Sequence, residues 1–81
     1  MPYIEQKRRK ELTDSLAEPA TPGELNYAIC MMALKYLDKT KKSYQHYNDV
    51  IGVLECAKLE IYRRLVSPYE DRKIAENGDV F

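Results

Sequence analysis

Seven consecutive apolar residues, Ala28-Ile29-Cys30-Met31-Met32-Ala33-Leu34, fall inside one helical pattern, and at about 3.6 residues per turn they reach every side of it. A helix that is apolar on all sides has to be covered on all sides. A chain of 81 residues is too short to wrap one of its own helices completely, because a domain of this size hides only roughly 60–65% of the surface its unfolded chain exposes. The expectation is that further copies of the chain supply the cover, in a homo-oligomer such as a hexamer built from dimers.

The remaining composition is that of an ordinary single domain, with 44% hydrophobic and 32% charged residues. No stretch approaches the roughly 18 apolar residues of a membrane span. The first residues carry charge at Glu5, Lys7, Arg8, Arg9 and Lys10, where a signal peptide turns apolar. A cytoplasmic protein with no membrane association is expected. Cys30 and Cys56 each sit mid-helix in the pattern and read as small core residues kept reduced, not as a disulfide framework. The 13 basic and 13 acidic residues cancel, which disfavours general nucleic-acid binding, since that needs a basic excess to neutralise phosphates.

Along the chain the pattern is all-α, one helical domain over 1–81 with helices near 4–16, 22–37, 44–66 and 68–76. Ile4, Leu12 and Leu16 mark a short amphipathic helix among charges. Thr21-Pro22-Gly23-Glu24 forms a capping box, with the Thr21 hydroxyl taking the Glu24 amide, the Glu24 carboxylate reaching back, and Pro22 at the first helical position. That helix ends in Asp38-Lys39-Thr40-Lys41-Lys42, a charged turn joining it to the next helix as a hairpin. From Tyr47 on, Val50, Leu54, Ala57, Ile61 and Leu65 recur every three or four residues and define the long central helix. Gly52 interrupts it at a cost of about 1 kcal/mol. Ser67-Pro68-Tyr69-Glu70 repeats the capping logic, so a bend and a fresh short helix are expected at Pro68. Gly78, after Asn77, suits a left-handed cap.

Chemistry is sparsely provided for. The single histidine, His46, has no ligand partners at metal-site spacing, and no phosphate loop or nucleophile elbow is present. No catalytic residue, metal or cofactor is expected. Arg63 and Arg64, followed closely by Tyr69 and preceded by Lys58, are harder to assign to a solvated face. Guanidinium forks beside an exposed aromatic ring hold phosphates and stack bases. Seven tyrosines with no tryptophan point the same way, tyrosine being favoured at wet interfaces and in ligand pockets. The rival reading is that these tyrosines and arginines rim subunit contacts, and that Glu55–Lys58 and Glu60–Arg64 are ordinary helix ion pairs. Asn26 and Tyr27, at the start of the most apolar helix, would either fix a neighbouring subunit's register or line a pocket.

The strings Gly23-Glu24-Leu25-Asn26-Tyr27, Asn48 through Glu60, Tyr62-Arg63-Arg64, Pro68-Tyr69-Glu70-Asp71 and Asn77-Gly78-Asp79-Val80 resemble a family of short helical proteins of tailed phages and prophage-bearing bacteria. The resemblance covers almost the whole chain and implies no enzymatic activity. The order of short helix, helical hairpin and long helix ending in Arg64-Leu65-Val66-Ser67-Pro68-Tyr69-Glu70 is also similar, in architecture, to phage anti-CBASS and anti-Thoeris sponges. That similarity implies a helical oligomer that sequesters a cyclic oligonucleotide or cyclic ADP-ribose type of messenger between subunits.

The expected function is therefore a non-enzymatic sponge for a nucleotide-derived immune messenger. Arg63, Arg64 and Lys58 would meet phosphates, Tyr69 or Tyr3 would stack a base, and Asn26 and Tyr27 are further candidates for lining the site. The alternative is a small phage protein whose helical surface docks on a host protein without a small ligand. Duplex DNA binding is disfavoured by the acids interleaved through every basic stretch, and enzymatic activity by the missing nucleophile and base.

Overall fold

A computed structural model describes residues 3–81, and among them there is no strand. The elements are α1 (Gln6–Asp14), α2 (Pro22–Asp38), α3 (Tyr44–Ile61) and α4 (Ser67–Asn77), with a π-helical turn at Tyr62–Val66 between the last two. The chain divides into two units, Met1–Tyr36 and Leu37–Phe81.

In the first unit, α1 is held by its own charges, with Arg8 paired to Glu11 at 3.0 Å and Lys10 to Asp14 at 2.8 Å. It is shorter than the 4–16 span expected. No side chain caps its start, and none of its residues is buried. The start of α2 is better defined. The Glu24 amide donates to Thr21 Oγ1 at 3.1 Å, while the Glu24 carboxylate accepts from the Ala20 amide at 3.2 Å. The carboxylate thus reaches back one residue further than a standard capping box, to Ala20 in place of Thr21.

In the second unit, Ser43 opens α3 from an extended backbone, its hydroxyl accepting from the His46 amide. The four-helix expectation fails at Pro68. Ile61, Tyr62, Val66 and Ser67 all keep right-handed helical angles, so α3, the π turn and α4 form one continuous helix from Tyr44 to Asn77. Among the described residues the chain has three helices, the last of them about 50 Å long at 1.5 Å per residue.

The reason lies in the proline. Pro68 has no amide hydrogen to donate, and in a regular α-helix its ring meets the carbonyl four residues back. Here the Ser67 amide reaches back five residues to the Tyr62 carbonyl, and the wider turn gives the ring room without leaving the helix. Ser67 itself, at φ −59° and ψ −47°, cannot act as a cap, because a capping residue needs a non-helical backbone. Gly78 closes the helix at φ 86° and ψ 153°, a conformation open almost only to glycine. Its amide donates to Ile74 O at 2.8 Å.

Burial is sparse throughout. Leu37, 8% exposed, is the one buried hydrophobic residue among those described. All around α2, Leu25, Ile29, Met31, Met32, Leu34 and Tyr36 stay exposed. Cys30 and Cys56, expected in the core, are free and exposed, and Asn26 is exposed as well. The periodicity placed these residues on faces that need covering, and the single chain does not cover them.

Candidate binding surface

The residues singled out in the sequence divide between the units. Lys58, Arg63, Arg64 and Tyr69 share the long helix of the second, while Tyr3, Asn26 and Tyr27 belong to the first.

On the long helix the charges are spaced three and four residues apart, and they find each other. Lys58 pairs with Glu55 at 3.1 Å. Glu60 takes both arginines, Arg63 at 3.3 Å and Arg64 at 3.1 Å. The hydrogen bond from Arg64, and then that from Arg63, holds the Glu60 carboxyl below its usual value of 4.5. All three cations are well exposed. Exposed ion pairs of this kind are weak and screened by salt, so an incoming anion can exchange with Glu60 or Glu55 for its cation. The pair of forks carries one more positive charge than the carboxylate it clasps.

One residue of the π turn makes a longer connection. The Tyr62 hydroxyl donates to Glu70 Oε1 at 2.8 Å. This bond and the neighbouring negative charge push the Tyr62 phenol above its usual 10.0. In an uninterrupted α-helix, positions eight apart are turned about 80° from each other, and a one-residue insertion brings them to within about 20°. The contact is thus a product of the π turn.

Arg63 and Arg64 both turn to Glu60, away from Tyr69. Its ring instead carries Arg72 at 5.7 Å and Lys73 at 5.6 Å from the centroid, both within cation–π range. These two cations were not among the expected ligand residues. Their spacing of three and four from Tyr69 is the signal that finds them. Lys73 also pairs with Glu76 at 3.2 Å.

In the first unit, Tyr27 lines an open concavity of about 360 Å³ together with Pro19, Glu24 and Ala28. Asn26 and Tyr3 do not line it, and Tyr3 is 88% exposed. Among the described residues no group of three or more His, Cys, Asp or Glu is placed to hold a metal ion. His46 is engaged locally, its Nδ1 lying 2.9 Å from Ser43 Oγ.

The family described as Domain of unknown function (DUF6899) matches this chain over residues 1–80. The chain belongs to that family. No curated protein and no solved structure matches it. What this DUF6899 protein presents on the long helix is a set of exposed cations, each already resting on a carboxylate or an aromatic face. No helix among the described residues is long and apolar enough to cross a membrane.

Proposed function

We propose that this protein is a non-enzymatic helical homo-oligomer, a hexamer built from dimers, that sequesters a nucleotide-derived immune messenger of the cyclic oligonucleotide or cyclic ADP-ribose type at its subunit interfaces, in the cytoplasm of a phage-infected cell. The observation that carries the reading is the stretch from Lys58 to Lys73. It places the exposed Arg63 and Arg64 forks one to two helical turns from a Tyr69 ring that already attracts cations. Phosphates would displace Glu60 from Arg63 and Arg64, Lys58 would add a further charge, and a base would stack on Tyr69 or on Tyr3 from another copy. Tyr27 and Asn26 stand as additional contacts from a neighbouring subunit. The exposed apolar surface of α2 supports assembly, because Met31, Met32 and Leu34 stay about half-exposed in the single chain.

Native mass spectrometry with cyclic di- and trinucleotides and cyclic ADP-ribose isomers tests this. The expected result is a closed oligomer that gains ligand mass in whole-number stoichiometry, with Arg63→Ala/Arg64→Ala abolishing the gain and leaving the oligomer intact. If the double variant falls to monomers, the arginines are interface residues and the ligand assignment fails.

A second reading is favoured by the pairing of Lys58, Arg63 and Arg64 within their own helix. In that reading the long helix docks on a host protein and no small molecule binds. Absence of any ligand gain, with one host protein recovered stoichiometrically on the immobilised chain, would select it.

A further inference from the structure

We propose that α3 pairs antiparallel with α3 of a second copy, about a dyad near Gly52, through Tyr47, Val50, Leu54 and Ala57. This rests on the self-assembly proposed above and names the surface that carries it, and it requires no ligand. The four side chains are separated by three, four and three residues, the a/d spacing of a helix seam. None of them is buried in the single chain, Tyr47 being 47% and Leu54 39% exposed.

Direction follows from size. In a parallel pair each residue meets itself, which sets Tyr47 on Tyr47 and leaves a hole where Ala57 faces Ala57. In an antiparallel pair centred near residue 52, Tyr47 lies opposite Ala57 and Val50 opposite Leu54, so that large meets small in every layer. The fifth seam residue, Ile61, would fall opposite Ser43, where α3 begins, and the seam ends there.

The flanks agree with this. A two-stranded helix pair places charges beside its seam, yet here the central flanking residues are Ile51, 66% exposed, and Val53, 63% exposed. About a dyad near Gly52 each of these meets its own copy and extends the apolar contact. Further out, His46 comes opposite Glu60, and the Lys58 ammonium comes opposite the ring of Tyr44, giving one polar pair and one cation–π pair at each end. Antiparallel helix dipoles add to the preference. Gly52 lies on the outer side, with open space where a Cβ would stand.

The test uses full-length chains in which Cys30→Ser and Cys56→Ser remove the native thiols. One preparation carries Val50→Cys and the other Leu54→Cys. After circular dichroism shows unchanged helix content, the two are mixed, allowed to exchange subunits and oxidised. The proposal expects disulfides between unlike chains to exceed those between like chains by at least tenfold. Val53→Cys alone is a second variant, placed beside the dyad, and should cross-link with itself. A predominance of like-chain disulfides at 50 and 54 would mean parallel pairing and overturn the proposal. Absence of cross-links in a sample that native mass spectrometry shows to be oligomeric would overturn it too, while leaving assembly and ligand capture standing. A monomeric native protein would overturn both.

Discussion

Replacing Pro68 with alanine removes the cause assigned above to the π turn, and the structure fixes what should follow. Alanine restores the amide donor and removes the ring, so the helix can return to regular α geometry and the segment beyond residue 67 rotates by one residue, about 100°, relative to α3. Proline in a helix interior is about 3 kcal/mol less favourable than alanine. Since the π turn already relieves part of that, the expected gain is about 1–2 kcal/mol, or roughly 5–15 °C in Tm for a chain of this size. The same rotation carries Glu70 away from Tyr62, although neither residue is altered. Carbon NMR of the tyrosine ring Cζ atoms, with Tyr62→Phe supplying the assignment, reads this directly. In the native chain the Tyr62 phenol is raised by Glu70, so its hydrogen bond is present below the ordinary tyrosine value of 10.0 and is lost as pH rises through the raised folded value. In Pro68→Ala the Tyr62 signal should titrate at lower pH than in the native chain, back toward the ordinary tyrosine value of 10.0, while Tm increases. A variant that keeps the late titration of Tyr62 and gains no stability would show that Pro68 does not set the π turn.

Two other perturbations bear on local structure. Thr21→Ala deletes the acceptor for the Glu24 amide and should cost about 1 kcal/mol, seen in circular dichroism as reduced stability of α2, and an unchanged melting curve would refute the cap. For Glu60, whose carboxyl Arg64 and Arg63 hold low, the clasp is present above the ordinary value of 4.5 and is lost as pH falls through the lowered folded value. Its side-chain carbon signal should titrate below the ordinary glutamate value of 4.5 and move back upward in Arg64→Ala; if Arg64→Ala leaves it in place, the clasp is not formed in solution.

The helical class of the fold was legible because the sequence states it twice, in periodicity and in caps. Thr21-Pro22-Gly23-Glu24 follows a charged and proline-marked break, so nothing upstream competes with a new helix start. Ser67-Pro68-Tyr69-Glu70 carries nearly the same letters but follows Arg63-Arg64-Leu65-Val66, which contains no breaker. The incoming helix keeps Ser67 helical, and the proline is absorbed by widening one turn. Glu70, freed from capping duty, takes the Tyr62 hydroxyl instead. Local motif chemistry was the same at both places, and the flanking residues decided between them. The ion pairs Glu55–Lys58 and Glu60–Arg64 could be read from spacing alone, and both are present. The stacking of Arg72 and Lys73 on Tyr69 obeys the same spacing rule, at three and four residues. The cysteines were misplaced for a different reason. Periodicity tells which face of a helix wants cover without saying whose atoms provide it, and Cys30 and Cys56 are uncovered in one chain.

That Leu37 is the one buried hydrophobic residue among those described has a consequence for how much of the protein a cell must make. Under the self-assembly proposed above, a chain with so little interior of its own would draw folding free energy from its copies, so its stability would rise with its own concentration. Early in expression the sparse copies would be open and readily degraded. Past a threshold, each new copy would protect those already present, and the protein would accumulate abruptly instead of in proportion to its synthesis.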